Sequence, residues 1–189
     1  MTTTTCAPAP STLLDPATGL PAPGRWRVVA AASRLYLDAT FRGLFGIRGR
    51  FTDLAGYIDV GDDLAGCRMR IDVAAASLTT GSATRDAMLT AAGLIDPDAG
   101  PALRFRSRAL AHNGAGLVVE GLVGTDRAVA PLRLDVATPR VASGPILTLR
   151  AGGAIGRDAI GALLTRPGVE RLLGATSKLD LTVALQPAQ

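Results

Sequence analysis

Residues 33–41 set the strongest constraint on the fold. Ser33, Leu35, Leu37, Ala39 and Phe41 alternate with Arg34, Tyr36, Asp38 and Thr40. A period of two with one polar side is the signature of a half-buried strand, because successive side chains leave opposite faces of an extended backbone. The pattern recurs along the chain. Ile47 and Phe51 oppose Arg48 and Arg50. Leu54, Gly56, Ile58 and Val60 share a face, and Cys67, Met69, Ile71 and Val73 oppose Arg68, Arg70 and Asp72. Leu103, Phe105 and Ser107 alternate with Arg104, Arg106 and Arg108, and Leu132, Leu134 and Val136 turn away from Arg133 and Asp135. Turn chemistry separates these runs at Gly61-Asp62-Asp63, His112-Asn113-Gly114 and Gly124-Thr125-Asp126. Further strands are expected over 117–121, 146–151 and 179–183.

One segment breaks the alternation. Residues 83–92 read as a helix that Ser82 caps and Gly93 ends. The stretch 152–177 reads as irregular, with a short helix opened by Pro167 and closed by Gly174. Eight or nine short strands with polar turns fit an antiparallel barrel or sandwich rather than βαβ units. A chain of 189 residues suits one domain. Residues 1–24, rich in Thr, Pro and Ala, read as a disordered tail before a folded unit over 25–186.

Composition narrows the function. The formal charge is +4 and Lys178 is the only lysine. The arginines are spread over many strands with acids among them, and aromatics are 4% of the chain. Nucleic-acid binders concentrate charge on one face and supply rings for base stacking, so a nucleic-acid partner is not expected. No apolar run approaches the roughly 20 residues of a membrane-spanning helix. The N-terminus carries neither a basic start nor a continuous apolar run of signal length, so a cytoplasmic protein is expected. Cys6 and Cys67 lack metal-ligand spacing and are not expected to pair. His112 is the only histidine, which rules out a multi-histidine metal site and a histidine-based triad. No catalytic residue, cofactor or metal is expected.

Several segments resemble the YceI-like family of lipocalin-like, polyisoprenoid-binding β-barrel proteins. They are Ser77-Leu78-Thr79-Thr80-Gly81, Arg85-Asp86-Ala87-Met88-Leu89, Asp96-Pro97 and Pro101-Ala102-Leu103-Arg104-Phe105-Arg106-Ser107. Trp26 with Ser33, Gly46-Ile47-Arg48-Gly49-Arg50-Phe51, Val119-Glu120-Gly121-Leu122 with Ala130-Pro131-Leu132, and Ile155-Gly156-Arg157-Asp158-Ala159-Ile160-Gly161 extend the likeness over most of the chain. The resemblance implies a mainly β fold, a single antiparallel eight-stranded lipocalin-like barrel with one or two short helices. It also implies an amphiphilic, isoprenoid-like ligand held inside for carriage, storage or sequestration, and a possible homodimer. The chain departs from the family pattern at Ala32, Arg42 and Met88, where the family often has His, and at Leu94-Ile95, where it has Phe.

On this reading the ligand contacts Ser33, Leu35, Leu37, Phe41, Ile47, Phe51, Met69, Ile71, Arg85, Met88, Phe105 and Leu134. Leu117, Val119, Leu149 and Leu181 also belong to the inward set. These residues either pack on one another or line a pocket, and the scarcity of large side chains favours the pocket. Arg85-Asp86 and Arg157-Asp158 read as structural pairs near the barrel mouth, with Arg85 as a candidate anchor for a polar head group. The alternative function is a cyclase-like barrel enzyme that holds an apolar biosynthetic intermediate in a reactive conformer.

Overall fold

The computed structural model describes residues 13–15, 19–96, 102–114, 116–142, 144–164 and 166–188. Twelve strand segments run in chain order: β1 (Gly24–Val28), β2 (Arg34–Phe41), β3 (Phe45–Phe51), β4 (Leu54–Val60), β5 (Arg68–Val73), β6 (Leu78–Thr79), β7 (Leu103–Asn113), β8 (Gly116–Gly124), β9 (Val129–Val136), β10 (Arg140–Val141), β11 (Leu147–Gly156) and β12 (Thr176–Pro187). Three pairs of these are halves of single staves. β1 and β2 together flank β12, β3 and β4 flank both of those halves, and β5 and β6 continue the order. Each stave hydrogen-bonds antiparallel to the next in sequence, and β12 pairs with β11 on one side and with β1 and β2 on the other. The result is a closed eight-stranded meander in which every stave has a hydrogen-bonded neighbour on both sides among the described residues.

Serines patch the places where staves break. Between β1 and β2 a 3-10 turn at Ala30–Ala32 interrupts the ladder. There the Ser33 hydroxyl donates to the Val29 carbonyl at 2.8 Å and accepts from the Ala184 N–H at 3.0 Å. Between β3 and β4, Ser77 Oγ accepts from the Thr52 and Asp53 N–H groups, both at 3.2 Å. A register shift in β7 between Ser107 and Ala109 is covered in the same way, with Ser107 Oγ accepting from the Met69 N–H at 2.8 Å. A buried N–H without a partner costs about 1–3 kcal/mol, which the Ser33 hydroxyl averts at the buried Ala184 N–H, whereas the Thr52 and Asp53 groups met by Ser77 are exposed.

The alternation of the sequence is the alternation of the wall. Along β9, Ala130, Leu132, Leu134 and Val136 are buried while Val129, Pro131, Arg133 and Asp135 are exposed. The core runs continuously from Trp26, Leu54 and Leu185 to Ile155 and Ile160. Outside, arginines and aspartates pair across strands, Arg25 to Asp59 at 2.6 Å and Arg104 to Asp72 at 2.9 Å, and Arg70 pairs with Asp72 along β5 at 3.0 Å.

Two helices cap one end. α1 (Ala83–Ala91) starts at Ser82, whose Oγ accepts from the Arg85 N–H, and stops where Gly93 takes φ +81°. α2 (Arg157–Leu163) follows β11 directly. Here the structure corrects the expectation of irregular chain over 152–177. Residues 152–156 are strand, laddered to β12 and in part to β9, and the helix begins at Arg157. The Pro167-to-Gly174 segment holds only a 3-10 turn, Val169–Leu172, entered through Gly168.

The opposite end receives the leader. Residues 1–12 of the expected tail, with Cys6, lie outside the described residues. Contacts cross the expected boundary at residue 24: Leu13, Leu14 and Ala22 pack against the core, Leu14 bridges to Pro21, and the Trp26 indole N–H donates to the Ala22 carbonyl at 2.8 Å.

Candidate functional site

Beneath the two helices the barrel encloses a cavity of about 230 Å³. Its wall rises in layers. Leu35, Leu37 and Ala39 come from β2, Ile47, Gly49 and Phe51 from β3, Ile71 and Val73 from β5, and Phe105 from β7. Val123, Leu132 and Leu134 follow from β8 and β9, and Leu179 and Leu181 from β12. The helical cap contributes Leu89, Leu94, Ile95, Ile160, Leu163, Leu164 and Leu173. Among the described residues, Thr80 and Asp96 are the only polar side chains of the wall. Such a surface selects a guest by length and width, since it offers few groups that fix a head by hydrogen bonding.

Two glycines allow close packing in the wall. Gly49, the cross-strand partner of Leu37, makes room for Leu78, whose methyl group would lie 2.6 Å from a Cβ there. Gly121 allows close approach on the other wall. A Cβ there would lie 2.4 Å from the Arg106 carbonyl oxygen and 2.7 Å from two ring carbons of Phe105. The missing side chain lets the Phe105 ring lie flat against β8.

The cap is tied down by Asp86, in the first turn of α1. Its carboxylate accepts from Thr79 Oγ1 and Thr80 Oγ1, each at 2.6 Å, and from the Thr80 N–H at 2.8 Å. The Thr79 hydroxyl first, then the Thr80 hydroxyl and amide, hold this carboxyl below its ordinary value of 3.8. Asp86 is thus a structural clasp between β6 and α1. Leu89 on the next turn packs with Phe41 and Ile95 in a small cluster that seats the helix on the β2–β3 hairpin.

Of the residues expected to meet a ligand, Leu35, Leu37, Ile47, Phe51, Ile71, Phe105 and Leu134 lie on this wall. The other five are placed elsewhere. The Ser33 hydroxyl is consumed by the stave break, and Phe41 sits under α1 in the Leu89 cluster. Met88 is 45% exposed on the outer face of α1. Arg85 is exposed and donates to the Thr80 carbonyl at 3.3 Å, so it points along the cap and not into the cavity. Met69 faces a second cavity at the far end of the barrel.

That second cavity measures about 170 Å³ and is lined by Ile58, Cys67, Met69, Leu117, Val119 and Leu149, with Leu20 and Pro21 of the leader. His112 lies at its rim and is exposed, and Cys67 is buried with its thiol donating to the Asp63 carbonyl. One inward face therefore serves two separate spaces. The cap residues Ile160, Leu163 and Leu164 escaped the sequence reading. Their i, i+3, i+4 spacing behind Asp158 is an amphipathic helical signal. Among the described residues no group of three His, Cys, Asp or Glu side chains is spaced to hold a metal, and no helix is long and apolar enough to cross a membrane.

Comparison with known proteins places this geometry. The family described as the YceI-like domain matches residues 26–184. Among solved structures, Burkholderia cenocepacia BcnA superposes with a TM-score of 0.68 at 15% identity, covering 83% of this chain and 98% of its own. A polyisoprenoid binding domain from Saccharophagus degradans, implicated in plant cell wall breakdown, gives 0.59 at 16% identity, with coverage of 86% and 98%. The Campylobacter jejuni YCEI protein gives 0.57 at 17% identity, with coverage of 77% and 88%. At these identities the likeness is one of fold. No curated protein matches the sequence.

Proposed function

The chain belongs to the YceI-like family, and from that premise we propose that it takes up an elongated, apolar, isoprenoid-like molecule in the cavity beneath α1 and α2. The observation that carries the reading is a closed barrel with about 230 Å³ of internal space and a wall of aliphatic and phenyl groups. A guest chain gains about 0.8 kcal/mol for each CH₂ that leaves water, offset in part by the entropy lost in ordering it. Thr80 and Asp96 would stand nearest a polar head.

A cyclase-like enzyme would use the same apolar wall as a template, and the likeness to a polyisoprenoid binding domain is what favours a binding module. A homodimer formed through the barrel wall and a cytoplasmic site of action belong to the same reading. Analytical ultracentrifugation tests the first and fractionation of the native host tests the second.

The direct experiment is native mass spectrometry of the purified protein, then organic extraction and incubation with a polyprenol mixture. A discrete mass increment that extraction removes and polyprenols restore is expected. An apo mass that no polyprenol shifts would overturn the proposal.

A further inference from the structure

We propose that the helix-capped end of the barrel docks on the surface of an anionic lipid bilayer, with the tip of the β2–β3 hairpin inserted among the lipids. Among the described residues, five large apolar side chains stand out in solvent. Leu44 is 79% and Phe45 63% exposed at the hairpin tip, and Met88 on α1 and Val129 at the start of β9 lie at the same end. Only Val141 is at the other.

The backbone imposes this exposure. Arg42 and Gly43 both adopt left-handed conformations, φ +50° and +70°, and the Leu44 N–H closes the turn on the Phe41 carbonyl at 3.1 Å. The Arg42 N–H donates to the Leu172 carbonyl at 2.6 Å, which pins the tip to the cap. A non-glycine residue in this region is uncommon and marks a turn held by its surroundings. The tip is a fixed apolar prong.

Charge supplies the partner. Ion pairs run along the strands, through Arg25, Arg48, Arg70, Arg104 and Arg133. At the capped end, Arg42, Arg127, Arg166 and Arg171 are exposed and form no ion pair among the described residues, and Arg85, also exposed, stands beside Asp86. Of the described acids at this end, Asp86 is tied to its threonines, Asp96 and Glu170 are half-buried, the exposed Asp126 lies 3.8 Å from Arg104, and Asp158 is exposed. Apolar side chains projecting from a rim of arginines match a bilayer with anionic head groups: the first bury among acyl chains, the second meet phosphate. Each arginine brought to such a surface tightens binding roughly fivefold.

The test uses the full chain and vesicles free of isoprenoid, so it stands apart from the ligand proposal. Cosedimentation is measured with phosphatidylcholine vesicles with and without phosphatidylglycerol, at low and high salt. Binding to the anionic vesicles is expected, weakened by salt and reduced roughly tenfold or more by Leu44→Asp with Phe45→Asp. Val141→Asp, at the far end, should leave it unchanged. Should the double variant not fold, Arg127→Glu with Arg171→Glu reads the same surface. The proposal is overturned if the wild type ignores anionic vesicles, if the tip variant binds as well as wild type, or if Val141→Asp abolishes binding. It is also overturned if the tip variant turns a dimer into a monomer, which would assign the prong to a second copy.

Discussion

Leu37→Phe separates a hollow barrel from a filled one by the sign of its effect. Leu37 faces the cavity opposite Gly49 on one side and Leu179 on the other. Side chains that face a space of about 230 Å³ lack contacts on one side, so added apolar volume there is favourable. Phenylalanine adds about three ring carbons to that space, about 2 kcal/mol of newly buried apolar matter at about 0.8 kcal/mol each. In a chain of this size the gain raises the melting temperature by roughly 4–8 °C. If the interior were already packed, the same change would overfill it and cost about 1–3 kcal/mol. The assay is urea unfolding of protein stripped of lipid by extraction and refolding, with the slope of the transition compared between variants. A higher midpoint at unchanged slope is expected, together with reduced polyprenol uptake. A lower midpoint at unchanged slope refutes the hollow barrel.

Three further outcomes follow from the hydrogen bonds and close contacts. Because the folded-state pKa of Asp86 lies below 3.8, its clasp stabilises the protein above that pH and is lost as pH falls through the folded value. Asp86→Asn should therefore lower stability at neutral pH by about 1–2 kcal/mol and flatten the acid limb of stability against pH, read by thermal melts. Ser33→Ala leaves the Ala184 N–H buried without its partner and should cost about 1–3 kcal/mol in denaturant titrations, without altering ligand capacity. Gly121→Ala drives a methyl against the Arg106 carbonyl and the Phe105 ring. It should cost about 1–3 kcal/mol and push Phe105 into the cavity, seen as weaker polyprenol uptake by native mass spectrometry.

The staves were legible because their signal is local. Along β9 the sequence alternates and so does the wall, residue for residue. α1 was legible from its cap and stop, Ser82 and Gly93. Height within the barrel was not. Met69 and Ile71 share one face of β5, two residues apart, yet face different cavities. Phe41 shares the face of Leu37 and sits beyond the cavity under Leu89. Periodicity fixes the side of a sheet on which a residue lies. Which layer it joins depends on the tilt and stagger that close the barrel, set by pairings far apart in sequence. Ser33 shows the same limit: as the first residue of an alternating run it read as inward, and a stave break bent the chain just before it. The stretch 152–177 reads as irregular in sequence, although Gly152 and Gly153 are laddered in β11 and α2 starts at Arg157.

The barrel is not equally strong around its circumference. β11 and β12 share ten register pairs, whereas β9 and β11 share three, Ala151, Gly152 and Gly153 against Val136, Asp135 and Leu134, beside one bond from the Ala137 N–H to the Arg150 carbonyl. Toward the capped end those two staves part, and α2 packs against β9 there. β5 and β7 share only four pairs, so the barrel has two short seams, and the one beside α2 is the shorter. A guest too long for the chamber would have a side door there, opened by a few ladder bonds and one helix moving aside, while the remaining seams keep the shell whole.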